Sequence, residues 1–273
     1  MKRRVLFVVQ IALTVLISGA GAAGQASDTF GGLAKDTGLV VRSPNALLVL
    51  RSAVAAVGGA AIGQVRDCRA EGTSKVYLGH PRPAENLIIE NAGAEYRYAD
   101  SSGNVIVSGY GKPAAEDHHG KRTVLSQRTA WGNFSPHLLS FSLYTALSDP
   151  RYTVLYGGST VVKGRAAIVI MTNHPTGVAK HENDSVTAQK WFFDAATHIP
   201  LKIEYIVPGA RDGVVDAVRT VELSNYKQVN GVLVPFQFSF SMYGKLEAIT
   251  NLNSVQFNVG LPASEFEMRG GGQ

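Results

Sequence analysis

The sequence predicts a mainly β protein of the α+β class, in which a strongly curved antiparallel sheet forms an incomplete β-barrel and helices cover its concave face. Three observations favour this fold: apolar and polar residues alternate in most segments, turn signals separate many of them, and only two segments have a helical pattern. A sheet of about ten strands curls because strands twist. With 273 residues, of which 45% are hydrophobic and 17% charged, the chain is not a disordered tail.

The first 23 residues have the pattern of a secretory signal peptide. Basic residues at positions 2–4 precede an apolar stretch at 5–17, and small residues occupy positions 19–23. The apolar stretch is shorter than the ~20 residues that span a bilayer. We therefore expect cleavage after Ala22 or Ala23, a single half-barrel domain over residues 24–273, and an exported, periplasmic location. An uncleaved segment would instead anchor the chain at its N-terminus.

The charge of the mature chain is close to neutral. Three of the 26 Lys and Arg residues lie in the signal segment and none of the 21 acidic residues does, so its removal lowers the net charge from +5 to +2. No cluster of basic residues longer than a pair remains, and we expect no nucleic-acid partner. The single cysteine, Cys68, cannot form an internal disulfide and is expected to be a buried apolar side chain.

The first predicted helix begins at a Ser-Pro pair, Ser43 and Pro44, because serine favours the N-cap and proline the first helical position. Residues 46–57 are apolar except for Arg51 and Ser52, which mark the only clear exposed edge. We therefore expect this helix to be largely covered by the sheet.

The second predicted helix follows another Ser-Pro pair at residues 135–136. It carries Leu139, Leu143 and Leu147 at a spacing of four residues, which places them on one face, and it ends at the Asp-Pro pair 149–150.

The remaining segments show the alternation of half-buried antiparallel strands. Turn signals separate many of them, at residues 102–104, 157–158, 208–209, 212–213 and 230–231. The predicted strands lie at residues 75–79, 87–90, 96–98, 105–107, 153–156, 166–171, 189–194, 201–205, 218–224, 236–240 and 255–259.

The most polar insertion, residues 112–121, is predicted to be a long mobile loop. It contains His118 and His119 beside Glu116 and Asp117, but one loop supplies too few fixed ligands for a metal ion.

The other histidines with acidic neighbours match no metal-binding spacing. They are His174 and His181, close to Glu182 and Asp184. The sequence has no G-x-S-x-G, H-E-x-x-H, Walker or paired C-x-x-C motif. We therefore predict no catalytic residue, no metal site and no cofactor. A hydrolase site assembled from scattered His and Asp residues is the least favoured alternative.

Large aromatic side chains occupy one face of two predicted strands. Phe236, Phe238 and Phe240 alternate with polar residues, and Trp191 and Phe193 share a face of another strand. Such rows either pack an ordinary core or line a pocket, and a long apolar wall suits an acyl chain. The predicted ligand-binding residues are Trp191, Phe193, Phe236, Phe238, Phe240, Leu139 and Leu143.

Four motifs in the C-terminal half carry a family resemblance. They are Gln-Lys-Trp-Phe-Phe-Asp at 189–194, Ile-Pro-Leu-Lys-Ile-Glu at 199–204, Asn-Tyr-Lys-Gln-Val-Asn-Gly-Val-Leu-Val-Pro at 225–235 and Val-Gln-Phe-Asn at 255–258, with Phe266 closing the pattern. This half resembles the LolA-like proteins, the periplasmic lipoprotein-carrier superfamily. The first helix and residues 147–171 resemble the opening and middle of that family, whereas residues 92–131 have no counterpart.

The resemblance implies an incomplete barrel closed by helices, whose apolar interior holds acyl chains. It implies a carrier rather than an enzyme, with a lipid or the acyl chain of a lipoprotein as partner. The same resemblance also allows an envelope sensor whose main partner is a protein. The chain is longer than a typical carrier, and the arginine that ties the lid to the barrel in the carriers has no assignable position here.

Overall fold

The fold is a single antiparallel sheet with two helices on one of its faces. The computed structural model describes residues 40–77, 83–93, 95–109, 112–118, 121–124, 139–174, 187–207 and 217–267. The predicted signal peptide lies outside these residues. The helical elements are α1 (Pro44–Ala56), α2 (Leu139–Ser148) and the 3-10 helices η1 (Gly59–Gln64) and η2 (Ala263–Phe266).

The sheet has 13 strands in the order β6-β5-β4-β3-β2-β1-β13-β12-β11-β10-β9-β8-β7. Each pair of neighbours is antiparallel, and β1 joins the first six strands to the last seven through β13. The strands are β1 (Asp67–Val76), β2 (Glu85–Ala92), β3 (Glu95–Asp100), β4 (Asn104–Gly109), β5 (Lys112–His118), β6 (Lys121–Val124), β7 (Thr153–Val162), β8 (Arg165–Asn173), β9 (Gln189–Asp194), β10 (Pro200–Val207), β11 (Ala217–Val229), β12 (Val232–Met242) and β13 (Lys245–Phe257).

The sheet is strongly curved, as predicted. Tyr96 on β3 and Tyr205 on β10 are separated by five intervening strands, yet burial and the charge of Tyr205 both raise the pKa of Tyr96. Charges influence one another in this way only over short distances. Both side chains belong to one core cluster on the concave side, which α1 and α2 cover, so the sheet curls far enough to bring β3 and β10 to the same core.

Helix α1 begins where the Ser-Pro pair predicts, with Ser43 at the N-cap. The hydroxyl of Ser43 makes no capping hydrogen bond, and its backbone carbonyl instead accepts from the N–H of Leu47 at 2.9 Å. The exposed side of α1 is wider than Arg51 and Ser52 indicate, because Leu48 is 59% exposed. The helix lies on the sheet with one side in solvent. Its buried face is formed by Ala46, Leu50, Ala53 and Val54.

The prediction of a long loop at residues 112–121 was wrong. Residues 112–118 form β5, which pairs with β4, and β6 begins at Lys121 and pairs with β5. Strands at the edge of a sheet are held by backbone hydrogen bonds and do not need an apolar face. A polar composition therefore did not exclude strand structure here.

Two further boundaries differ from the predictions. The Gly157-Gly158 pair is not a turn but a bulge within β7, where Gly158 has a φ of 93°. The turn after β7 is formed by Lys163 and Gly164. The first strand occupies Asp67–Val76 rather than residues 75–79.

One apolar core lies between the helices and the concave face of the sheet. It includes side chains from α1, α2 and strands on both sides of the β1–β13 pair. Within the described ranges, neither α1 nor α2 nor any other helix has the length and apolarity that crossing a membrane requires.

Candidate functional site

The centre of the concave face is a row of three phenylalanines on β12. Phe236, Phe238 and Phe240 alternate with exposed or half-buried polar residues, and Phe238 is completely buried. Phe238 lies between Leu223 on β11 and Thr250 on β13. Aromatic rings at alternate positions form a continuous apolar wall along the strand.

The second aromatic group lies on β9. The rings of Trp191 and Phe193 are stacked with centroids 6.2 Å apart and planes inclined by 5°. Trp191 donates its indole Nε1–H to the hydroxyl of Thr172 at 3.1 Å. That hydrogen bond satisfies the polar atom of a fully buried side chain and fixes the orientation of the indole.

The helices close the concave face above these rings. Leu143 of α2 is fully buried, and Phe141 meets the ring of Phe257 edge to face at 6.1 Å. The carbonyl of Val57, just after α1, accepts a hydrogen bond from the N–H of Leu233 on β12 at 2.9 Å. The end of α1 is thus attached to the strand that carries the phenylalanine row.

The structure brings six of the seven predicted ligand-binding residues into one apolar cluster. The side chain of the seventh, Leu139, lies outside the described part. Their role in binding remains a prediction, because the same burial is expected of core residues. The six clustered residues are Trp191, Phe193, Phe236, Phe238, Phe240 and Leu143.

A buried ion pair lies at one end of the concave face. Nε of Arg219 on β11 donates to Oε2 of Glu247 on β13 at 2.8 Å, and both side chains are almost completely buried. Tyr205 on β10 is also hydrogen-bonded to Arg219. Burial raises the pKa of Tyr205 although the guanidinium opposes this shift. For Arg219, burial alone would lower the pKa, but the charges of Tyr205 and Glu247 outweigh it and raise the pKa.

No clear sequence signal marks this polar group. Arg219 follows the alternation of its strand, so the pattern alone places it beside Val221 on the apolar face. An arginine at such a position can be assigned to a buried ion pair only when the acidic residue that pairs with it is known. The partner is Glu247, and it lies two strands away.

An arginine also attaches α2 to the segment before α1. The guanidinium of Arg42 donates to the carbonyl oxygens of Ala146, at 3.1 Å, and Leu147, at 2.8 Å, and also to that of Asp149. These carbonyls belong to the end of α2, where helices leave such groups without intrahelical partners. Arg42 therefore connects the two helices that cover the concave face.

The described histidine candidates form no metal site. His174 is buried, with its ring 4.7 Å from that of Tyr152 and its Nε2 3.9 Å from a carboxylate oxygen of Asp149. No group of three or more His, Cys, Asp or Glu side chains is placed to hold a metal ion within the described ranges. His118 ends β5, whereas His119, His181, Glu182 and Asp184 lie outside the described residues.

Cys68 is buried as predicted. It lies on the concave face of β1, opposite Phe257 of β13. Burial, with a smaller contribution from the charge of Asp67, raises the pKa of its thiol to about 12. A thiol with this pKa is almost entirely protonated at neutral pH and is a poor nucleophile.

Comparison with known proteins identifies the fold. No family model matches the chain. No curated protein matches it either. Among solved structures, a LolA superfamily protein from Nitrosomonas europaea superposes with a TM-score of 0.54 at 11% identity, over 82% of this chain and 97% of the other.

Two further structures match a comparable share of the chain. One is a domain described as an outer membrane lipoprotein-sorting protein, from Vibrio parahaemolyticus, with a TM-score of 0.54 at 14% identity. The match covers 81% of this chain and 95% of that domain. The other is a DUF1329 family protein from Desulfovibrio piger, with a TM-score of 0.52 at 14% identity. The match covers 81% of this chain and 96% of that protein's chain. The chain thus has a LolA-like fold, which confirms the resemblance seen in its motifs.

Proposed function

We propose, from the LolA-like fold of the chain, that it binds a lipid or the acyl chain of a lipoprotein against the concave face of its sheet and carries it through the periplasm. The proposal includes no catalytic step. The observation that carries it is the row of Phe236, Phe238 and Phe240, which forms a continuous apolar wall beneath two helices.

The binding energy would come from burial of acyl chain. Each buried methylene contributes ~0.8 kcal/mol, so about a dozen methylenes supply a gross ~10 kcal/mol before the cost of association is subtracted. An apolar wall without specific polar partners suits ligands that differ in chain length. This is the chemistry expected of a carrier for acylated molecules.

The helix attachments favour a cover that opens as a unit. α1 is attached at its end through Val57 and Leu233, and its start follows a short parallel contact in which Ser43 donates to the carbonyl of Val154 at 2.9 Å. Between these attachments, the face of α1 toward the sheet is entirely apolar. Apolar contacts are not directional, so an acyl chain could replace them at small cost.

The test substitutes one residue on each face of the sheet. Phe238→Asp places a charge on the concave wall, whereas Phe192→Asp places the same charge on the opposite face, where the Nζ of Lys202 lies 3.8 Å from the ring centroid of Phe192. Uptake of a fluorescent long-chain fatty acid and the thermal midpoint are measured for both. We expect the concave variant to lose uptake while it stays folded. The control should keep uptake although its thermal midpoint falls, because Phe192 is only 5% exposed.

The two outcomes against the proposal are distinct. If Phe238→Asp unfolds the protein, the phenylalanine row is a filled core, because a buried unpaired charge is not tolerated there. If it stays folded and still takes up the fatty acid, the ligand does not contact this wall. Native mass spectrometry of the exported wild type, followed by extraction of any bound acyl compound, identifies the ligand class.

A second candidate function is that of an envelope sensor that binds a protein. The observation in its favour is β7, which ends the described sheet and pairs along most of its length only with β8. Val161 on this strand is 66% exposed. An edge strand can accept a strand from another chain. Isolation of the protein from an envelope extract would then yield one stoichiometric protein and no lipid.

A further inference from the structure

The β12–β13 turn carries a side chain that the turn itself does not favour. Tyr243 and Gly244 join the two strands, with φ angles of 51° and 71°. Two-residue turns of this kind require positive φ at both positions, for which Asn-Gly is the preferred pair. A bulky aromatic side chain in the left-handed region is uncommon and is strained.

The same chain contains a less strained solution to this turn. Asn230 and Gly231 join β11 to β12 with φ angles of 45° and 82°, and Asn-Gly is the preferred pair. Packing does not explain the tyrosine either, because Tyr243 is 43% exposed. Neither local folding nor the core accounts for an aromatic residue at the tip of this hairpin.

Two more exposed apolar side chains lie beside this turn. The N–H of Tyr77 donates to the carbonyl of Glu247 at 2.8 Å, so Tyr77 extends the β1–β13 pairing by one residue. It therefore lies next to Leu246, and both are more than one third exposed. We call Tyr77, Tyr243 and Leu246 the rim patch. They occupy one end of the sheet, at the tip of the β12–β13 hairpin.

Among the residues that the structure describes, the exposed charges at the rim patch are positive. Lys245 follows the turn and is exposed, and the Nζ of Lys75 lies 5.2 Å from the ring centroid of Tyr77. The nearest carboxylate along β13, Glu247, is buried and paired with Arg219. Glu85 on β2 pairs with Ser74 and so lies on the other face of the sheet from Lys75.

We propose that the rim patch docks the protein on the surface of an anionic lipid bilayer. Tyrosine rings are favoured at the boundary between headgroups and acyl chains, because they combine an apolar body with a polar hydroxyl. Lysine side chains reach from that depth to lipid phosphates and are attracted by the negative surface potential. This docking goes beyond the binding of an acyl chain on the concave face, and it does not require that binding.

The test compares exposed tyrosines in two places. Tyr243→Asn puts the preferred residue into the turn, so the variant should fold at least as well as the wild type. Tyr156→Asn is the matched control, because Tyr156 is 45% exposed but lies on β7. The exported protein is sedimented with vesicles of phosphatidylcholine and phosphatidylglycerol in equal amounts, and with vesicles of phosphatidylcholine alone.

We expect the wild type to bind the anionic vesicles more tightly than the neutral ones, with binding weakened by salt. Tyr243→Asn should weaken binding about tenfold, as expected for the loss of one buried aromatic side chain, without lowering the thermal midpoint. Lys245→Glu should weaken binding to anionic vesicles alone. Tyr156→Asn should bind as the wild type does. The N-terminal apolar segment is the same in all variants, so it does not affect these ratios.

Three results would overturn the proposal. The first is that Tyr243→Asn binds vesicles as tightly as the wild type. The second is that Tyr156→Asn loses as much binding as Tyr243→Asn, which would make exposed tyrosines interchangeable. The third is that the wild type stays in the supernatant with both kinds of vesicle. In that case the occupant of the rim patch is a protein or a second copy of this chain.

Discussion

Arg219 and Glu247 form an ion pair across the end of β12, although they lie on β11 and β13. Phe240 pairs with Ala248 and Ser241 pairs with Leu246, so Glu247 is the extra residue of a bulge in β13. The bulge turns its carboxylate to the concave face, where it meets the guanidinium at 2.8 Å. An irregularity of one residue in the sheet thus allows a buried charge to be paired.

Removal of the carboxylate should destabilise the fold strongly. Glu247→Gln leaves Arg219 buried beside Tyr205 without a negative partner, and we expect the free energy of unfolding to fall by about 3–5 kcal/mol. The double variant Arg219→Met, Glu247→Leu should lose less stability than the sum of the losses in the single variants Arg219→Met and Glu247→Leu. These three variants and the wild type form a double-mutant cycle. Urea denaturation of the four proteins measures the coupling. Equal stability of Glu247→Gln and wild type would show that the pair does not hold this end of the sheet.

Gly72 of β1 lies opposite a bulge in β13 and should tolerate no side chain, because its partner is Leu252 while Glu71 pairs with Ser254. A Cβ on Gly72 would lie 2.2 Å from the carbonyl oxygen of Asn251 and 2.9 Å from the Cα of Leu252, which are backbone atoms. We expect Gly72→Ala to cost about 3 kcal/mol. Gly157→Ala is the matched control, because its Cβ would meet a side-chain atom, Cγ1 of Val169, at 2.8 Å, while the nearest backbone atom, the carbonyl oxygen of Val169, lies 3.3 Å away. It should cost about 1 kcal/mol. Similar urea midpoints for the two variants would contradict this.

The alternation of apolar and polar residues predicts the regular strands of this fold, but not the bulges near these two glycines. The regular strands of the C-terminal half, such as β12, were predicted because one face is buried and the other is not, so their residues alternate in the sequence. The bulges at Gly157 and Glu247, and the bulge in β13 opposite Gly72, were not predicted. A bulge depends on the register of the neighbouring strand, which is set by residues far away in the chain.

Part of the candidate site could likewise be predicted from the sequence, and part of it could not. The rows on β9 and β12 follow a period of two, so Phe236, Phe238 and Phe240 could be assigned to one face in advance. Whether Tyr96 and Tyr205 reach the same core depends on how far the whole sheet curls, and no local sequence pattern encodes that curvature. The strands at residues 112–124 were missed because edge strands are held by backbone hydrogen bonds rather than by burial.

Arg42 should hold the last turn of α2. Arg42→Met keeps much of the apolar length of the side chain but removes the hydrogen bonds to Ala146, Leu147 and Asp149. We expect amide hydrogen exchange in residues 143–149 to become about tenfold faster or more, because each lost hydrogen bond contributes roughly 1 kcal/mol. Exchange in β12 should change little. Unchanged exchange in α2 would show that packing alone holds the helix.

Cys68 should resist thiol reagents while the protein is folded. Its thiol is buried and its pKa is raised to about 12, so the reactive thiolate is scarce and the reagent cannot reach it. We expect labelling by a maleimide only at the rate of unfolding, and complete labelling in denaturant. A fast reaction of the native protein at neutral pH would contradict this and would indicate that the sheet opens near Phe257.

Asp194 should make stability depend on pH in acid. Its Oδ1 accepts from the N–H of Thr197 at 2.8 Å and from the N–H of Ala196 at 3.1 Å, and its Oδ2 lies 2.7 Å from the guanidinium of Arg165. The hydrogen bond from Thr197 is the main cause that lowers the pKa of this carboxyl below its ordinary value of 3.8. The folded state therefore favours the ionised form.

The sign of the effect follows from the lowered pKa. The charged form stabilises the fold fully above pH 3.8, and this contribution is lost as the pH falls through the lower pKa of the folded state. Asp194→Asn keeps the acceptor oxygen but removes the charge, so at pH 7 we expect it to be about 1–2 kcal/mol less stable than the wild type. The difference should stay constant down to about pH 5 and narrow below about pH 4. Urea denaturation of both proteins at pH 7, 5 and 3 measures it. A difference that is the same at all three values would show that hydrogen-bond geometry, rather than charge, is what Asp194 contributes to this turn.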